Sequence, residues 1–288
     1  MLTPTAAEIA ATSLTLADTA AASTAVIAPH RGAIVTSFSV NSCELLYLDP
    51  ATFDDPTKNV RGGIPVLFPC PGKLEQDTWR THDRTGSMKQ HGFARTLPWT
   101  VTGTPTATRA TLALQSSETT LSQYPWRFQA ELEFALNGPV LRIATRVQND
   151  DDTPMPFALG FHPYFQVHDK ARTRIETNAT RAYNNVSKQS LPFAGFDLKS
   201  AEVDLHLLNH TRPSIPLHLA DDSTIELRAS PEFSVWVLWT LGGKEFVCLE
   251  PWTAPGNALN TGERLMTLAP GKIWQGWFEI EFVKRTTA

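Results

Sequence analysis

The feature that most constrains the fold is an alternation of period two across residues 128–147. In "FQAELEFAL", Phe128, Ala130, Leu132, Phe134 and Leu136 alternate with Gln129, Glu131, Glu133 and Ala135. Successive side chains of a strand point to opposite faces, so this spacing sets one apolar face on a core and turns a mostly polar face to water. Asn137-Gly138 follows, and "PVLRIATRV" alternates again, with Leu141, Ile143 and Val147 on one side and Arg142 and Arg146 on the other. The two runs predict a β-hairpin closed by a two-residue turn at Asn137-Gly138.

Comparable short runs recur in "AIVTSFSV", "CELLYL", "ATLALQ", "STIELR", "EFSVWVLW", "EFVCLE" and "WQGWFEIEFV", separated by segments rich in Pro, Gly, Asp and Asn. With 21 prolines spread along the chain and hardly any amphipathic helical pattern, the sequence predicts an all-β fold. A large antiparallel β-sandwich with few, short helices fits best. The 288 residues show no fixed-period repeat and no low-complexity linker, so residues 1–288 are expected to form one domain. The Ala/Thr-rich N-terminal stretch is expected to fray first.

Apolar residues make up 42% of the chain and charged ones 19%, ordinary for a soluble protein. A formal net charge of -4, without a long Lys/Arg run, argues against nucleic acid and against anionic membranes as partners. Cys43, Cys70 and Cys248 are odd in number and widely spaced, as reduced thiols would be. The N-terminus lacks a basic start followed by a continuous apolar stretch, and no later segment has the length of a membrane span. A cytoplasmic location is expected.

Three places carry candidate chemistry. In "GFHPYF", Pro163 forces His162 into extended geometry, so an imidazole is held at a strand end among aromatic rings. Taken alone it is equally a packed histidine bonded to a carbonyl. "EFVCLE" ends an apolar strand on Glu250, again before a proline, with the flat face of Trp252 two residues on. The alternative there is a strand-end charge facing water. In "MKQHGFAR", Gly92 lets another backbone or a ligand approach beside His91, and Arg95 is either an anion ligand or half of a structural ion pair. Upstream, Arg61 precedes paired glycines in "RGGIPVLFPCPG", and its guanidinium suits hydroxyls, carboxylates or phosphates.

Other patterns carry less. His206 and His210 form an HxxxH, but no Glu follows His206 and no helix holds the pair, so a zinc-protease reading fails. Cys70 has no basic group or helix N-terminus nearby and reads as a structural thiol. His82, Asp83 and Arg84 read as a polar surface loop. There is no GxSxG and no glycine-rich phosphate loop; no metal and no organic cofactor are called for.

The ordered set "RGGIPVLFP", "QHGFAR", "FHPYF", "VCLEPWTAPGNALNTGE" and "LAPGKIWQGWFEI" resembles the aldose 1-epimerase (galactose mutarotase) superfamily, including its hexose-6-phosphate branch. The resemblance implies a galactose mutarotase-like supersandwich with sugar bound across one sheet. It implies His162 as general acid, Glu250 as general base, His91 as a hydrogen-bond partner of the sugar and Arg61 as a pocket residue. Asp204, in "EVDLHLLN", is the best match to an aspartate that contacts sugar hydroxyls in relatives. Free-sugar members usually carry Asn where Phe161 stands, and phosphosugar members usually lack Pro163.

The expected reaction is interconversion of the α and β anomers of an aldohexose or hexose 6-phosphate. It needs a proton removed from the C1 hydroxyl and one delivered to the ring oxygen. A carboxylate near ~4.3 and an imidazole near ~6.5, held protonated by an adjacent anion, have the right types. Arg61 and Arg95 favour a phosphorylated sugar as the small-molecule partner. Two other readings stay open: a non-catalytic sugar-binding or sensing protein on the same scaffold, and a glycoside hydrolase pairing Glu250 with Asp204.

Overall fold

A computed structural model describes residues 13–81 and 83–284. His82 and most of the N-terminal stretch expected to fray lie outside the described residues. Two eight-stranded antiparallel sheets dominate. The first runs, in spatial order, Arg174–Ile175, Ser214–His218, Thr224–Ala229, Ile273–Val283, Val140–Asn149, Phe128–Asn137, Arg109–Gln115 and Thr100–Thr102. The second runs Gln189–Pro192, Arg181–Asn184, Glu202–Leu207, Val235–Leu241, Phe246–Trp252, Gly160–Phe161 and Val66–Leu67, with Tyr164–Gln166 also paired to Phe246–Trp252. A four-stranded sheet from Leu14–Asp18 to Cys43–Glu44 adds to them.

The alternating hairpin forms the centre of the first sheet. Phe128, Ala130, Leu132, Phe134 and Leu136 are all buried, while Gln129, Glu131 and Glu133 keep contact with water. They share one continuous core with Leu205, Leu207, Trp236, Leu238, Val247 and Leu249 from the second sheet, which makes the pair a sandwich. Phe161 and Phe278, one from each sheet, stack across the interior with ring centroids 5.5 Å apart. Phe161 therefore belongs to the core, on the side of its strand away from His162, and its departure from the free-sugar pattern does not reach the site.

Two local expectations shift. Asn137 stays in the strand opposite Val140, so the hairpin turns on Gly138 and Pro139, one residue later than the sequence suggests. Gly138 supplies a φ of 59° at the first turn position, and proline's fixed negative φ suits the second. The strand containing Glu250 does not stop there but continues through Pro251 to Trp252. It runs beside a break in the neighbouring ladder between Gly160–Phe161 and Tyr164–Gln166, where a missing N–H is tolerated. "CELLYL" pairs as a strand only at Cys43–Glu44, continuing as isolated bridges at Leu46 and Leu48.

Among the described residues, the α-helices are three four-residue turns: Pro50–Phe53, Glu118–Leu121 and Ala258–Thr261. None is long and apolar enough to cross a membrane.

Candidate active site

Register in the second sheet decides which side chains meet, because directly opposed residues share a face. One cross-strand row reads His206, Val237, Glu250. The next reads Asp204, Trp239, Cys248, Tyr164, and a third reads Val235, Trp252, Gly160, Leu67. These residues stand on the face away from the shared core, where Leu67, Val235, Val237 and Trp252 form a small apolar cluster of their own. His162 enters the same face from the break after Gly160–Phe161, its backbone N–H donating to the Pro65 carbonyl at 3.0 Å.

His162 Nε2 lies 3.4 Å from Glu250 Oε1. Both are buried, Glu250 to 1% exposure. The imidazole stacks on Tyr164, with centroids 4.7 Å apart, and meets Trp239 edge-on at 5.7 Å. Trp252 Nε1 donates to Glu250 Oε2 at 3.0 Å, which fixes the carboxyl from its other oxygen. Pro163 and the stacking rings thus hold the base-type and acid-type groups against each other with little freedom.

Burial governs their protonation. It pushes His162 down to about 3, and the positive charges of Arg95 and Arg61 add to the shift. It pushes Glu250 well above the usual carboxylate range, helped by the charge of Asp204 and opposed by the Trp252 N–H. The sequence suggests an imidazole held protonated by its neighbour; burial instead favours neutral imidazole beside neutral carboxyl. The two arrangements hold the same number of protons and differ only in which partner carries the shared one.

His91 completes one wall. Its ring centroid is 5.5 Å from that of His162 and 5.8 Å from that of Trp252. His91 has a left-handed φ of 71°, unusual for a histidine, and Gly92 beside it approaches so closely that a Cβ there would lie 2.2 Å from the Phe68 carbonyl oxygen. The Gly72 N–H donates to His91 Nδ1 at 2.9 Å. Burial, reinforced by Arg95, holds His91 well below its ordinary range, so the ring is neutral and its proton sits on Nε2. The Gln90 side-chain amide, 3.1 Å from Nε2, must then present its oxygen there, since two donors do not face each other.

Two arginines border the site, Arg61 near Trp239 and Arg95 near His91. Arg61 places its guanidinium over the Trp239 ring, 5.4 Å from the centroid. Arg95 is largely buried and donates from Nη2 to the Gln90 carbonyl at 2.9 Å. Neither has a carboxylate partner among the described residues, which removes the structural ion pair considered for Arg95.

A hollow of about 570 Å³ on the first sheet is lined by Arg142, Arg146, Glu131 and Trp277. Its arginines are paired, Arg142 with Glu279 and Arg146 with Glu131. The unpaired cations and displaced protonation equilibria lie instead around His162, which is where reactivity is to be sought.

A family model described as "Aldose 1-epimerase" matches residues 13–281. The chain belongs to the aldose 1-epimerase family. It is 30% identical over 274 residues to a Cenchrus ciliaris protein named "Putative glucose-6-phosphate 1-epimerase", covering 85% of this chain and 77% of that one. The Slr1438 protein of Synechocystis is 35% identical, with a TM-score of 0.92 and coverage of 95% and 96% of the two chains. A galactose mutarotase-like protein from Lactobacillus casei, 24% identical, shares the fold with a TM-score of 0.79 over 94% of this chain and 99% of that one.

In this aldose 1-epimerase family chain, the fold brings His162, Glu250, His91 and Trp252 into direct contact, with Arg61 and Arg95 beside them. Asp204 stands on the same face, and burial raises its carboxyl, opposed by a hydrogen bond from Asn185. Cys70 is buried, with its thiol pushed up to about 12 by burial, as a structural residue should be. Sequence reasoning missed Trp239 and Tyr164, which flank His162, and Cys248, two residues before Glu250 on the same face. Alternation along "FVCLEPW" places Cys248 with Glu250 and Trp252, but only once Glu250 is known to face the site. His162, Cys248 and Glu250 offer donor atoms within 4.8 Å of one another, the one metal-type grouping among the described residues. Burial and the neighbouring Glu250 raise the Cys248 thiol well above its ordinary range, so it is a poor ligand without a proton-displacing ion.

Proposed function

We propose that this chain is a mutarotase that interconverts the anomers of an aldohexose, with a hexose 6-phosphate as the preferred substrate. The 3.4 Å approach of His162 Nε2 to Glu250 Oε1 on a buried, aromatic face carries the proposal. A pyranose laid on this face meets one group able to take the C1 hydroxyl proton and one able to give a proton to the ring oxygen. Glu250 as carboxylate accepts the first, His162 as imidazolium gives the second, and the C1–ring oxygen bond opens to the aldehyde. The pair is then left as neutral imidazole and carboxylic acid, the arrangement that burial favours. After rotation about C1–C2, Glu250 returns its proton and His162 recovers one, closing the ring on either face. Each positioned transfer contributes roughly 10²–10⁴-fold, and a displacement of ~1 Å would forfeit much of it.

The neutral His91 carries its proton on Nε2, and a sugar oxygen would share that N–H with the Gln90 amide or replace the amide there as charge develops. Arg61 and Arg95, cations without carboxylate partners, favour an anionic group on the substrate, and the name of the Cenchrus ciliaris relative points the same way. One domain in a reducing cytoplasm fits the three free thiols. The test is anomer exchange followed by NMR for glucose, galactose and their 6-phosphates at low concentration. The proposal expects acceleration, greater for the phosphorylated sugars; no acceleration of any aldose would end it.

A further inference from the structure

His206, set aside in the sequence as half of an unconvincing HxxxH, lies on the site's face in the row of Val237 and Glu250. Its ring centroid is 5.1 Å from that of Trp252, the residue that bonds Glu250. Asn185 links it to Asp204: the amide nitrogen lies 3.0 Å from Asp204 Oδ1 and 2.7 Å from His206 Nε2. The carboxylate identifies that amide atom as the nitrogen, because an ionised carboxylate only accepts. One N–H of Asn185 is therefore spent on Asp204, and the other faces His206 Nε2, which must accept it. A neutral His206 consequently carries its own proton on Nδ1.

His206 Nδ1 has no hydrogen-bond partner among the described residues, yet it is not among the fully enclosed orphan atoms. It therefore keeps some accessible surface, on a ring that shares a sheet face with Glu250 and packs against Trp252. Among the described residues no protein donor reaches Asp204 Oδ2, while Oδ1 is tied down. Asn185 holds side by side a donor, Nδ1–H, and an acceptor, Oδ2, on neighbouring residues of one strand face. A pair of sugar hydroxyls, each both donor and acceptor, matches that arrangement.

We propose that His206 is a sugar-binding residue that donates from Nδ1 to a ring hydroxyl other than the one at C1, and that Asn185 is the positioning residue that sets its tautomer and orients Asp204. The proposal rests on the sugar-binding part of the function proposed above. It makes the Asn185, Asp204 and His206 wall the part of the site that reads hydroxyl pattern, while His162 and Glu250 act on C1 and the ring oxygen.

The test measures equilibrium binding, by tryptophan fluorescence, of glucose 6-phosphate, glucose and the 2-, 3- and 4-deoxyglucoses to the full chain. His206→Phe keeps the ring against Trp252 and removes the donor. It should weaken glucose by about tenfold, and one deoxy sugar should bind wild type and variant alike. His206→Asn, whose amide nitrogen takes the place of Nδ1, should restore most of the loss, and Asn185→Leu should erase the same hydroxyl preference. Long-range proton–nitrogen NMR of the wild-type imidazoles, which needs no variant to fold, should show His206 as the Nδ1–H tautomer. An Nε2–H tautomer, or a His206→Phe loss equal for every deoxy sugar, overturns the assignment. Sugar binding without accelerated anomer exchange would refute the mutarotase proposal while leaving the His206 result readable; binding of no sugar at all refutes both.

Discussion

His162 Nε2 and Glu250 Oε1 meet at 3.4 Å although 88 positions separate the two residues in the chain. The contact exists because Gly160–Phe161 and Tyr164–Gln166 both pair with the strand Phe246–Trp252, leaving His162 and Pro163 to bridge the break directly opposite Glu250. Backbone register, more than any attraction between the side chains, brings them together. A pair assembled this way is in place before a sugar arrives.

Its pH dependence follows from sharing a single proton. Activity should need the singly protonated pair, which is lost on the acid side only as the imidazole titrates toward about 3 and on the basic side only above the raised value of Glu250. The profile of kcat/KM should therefore run flat through the ordinary histidine value of ~6.5. Anomer-exchange rates measured between about pH 5 and 8 check this. An acid limb centred near the free histidine value would show that His162 titrates as an ordinary imidazole.

Trp252→Phe keeps an aromatic ring facing His91 and His206 but removes the N–H that Glu250 Oε2 accepts. That bond lowers the Glu250 value, so without it the carboxyl should hold its proton more tightly. Turnover should fall by about tenfold, and the basic limb of the profile should move to higher pH. Unchanged turnover with an unmoved basic limb would separate Trp252 from the chemistry.

Arg61→Met retains a flexible apolar stem over Trp239 and removes the charge. The preference for glucose 6-phosphate over glucose, as a ratio of kcat/KM, should drop by about tenfold or more, and its sensitivity to salt should fall as well. If the ratio does not move, the phosphate, where one is taken, does not sit at Arg61.

Stability should decline in mild acid. His91, His162 and His206 are depressed by burial, His206 to about 4, so in the folded chain they stay neutral while their unfolded counterparts gain protons as pH falls through ~6.5. Glu250 acts with the opposite sign: the folded chain keeps its proton where the unfolded chain is ionised, which offsets about one histidine. Each unpaired histidine contributes a slope near ~1.4 kcal/mol per pH unit, so a net loss of about 1–3 kcal/mol is expected between about pH 6.5 and 5. Urea denaturation across that range measures it, and constant or rising stability toward acid would contradict the burial account.

The sandwich was legible because its central hairpin alternates cleanly, with burial following each apolar position from Phe128 to Leu136. The position of the turn was not, since Asn137-Gly138 and Gly138-Pro139 are both good turn pairs and pairing with Val140 chooses between them. His162, Glu250 and His91 stood out through the prolines and glycine beside them, which leave a local mark. His206 and Asn185 left none: their roles depend on a hydrogen bond between strand Glu202–Leu207 and the residue just after strand Arg181–Asn184. Protonation was also invisible, because it is set by burial on a face that only the folded sheet creates.

In the proposed reaction Glu250 and His162 exchange protons with one bound sugar. Two-dimensional exchange NMR of glucose 6-phosphate and glucose, with wild type beside Glu250→Gln, tests it most directly, with melting curves to show that the variant is folded. Wild type should speed α to β exchange of at least one of the two sugars, and Glu250→Gln should lose roughly 10²–10⁴-fold of that rate while still binding sugar. A folded Glu250→Gln protein that exchanges anomers as fast as wild type would contradict it.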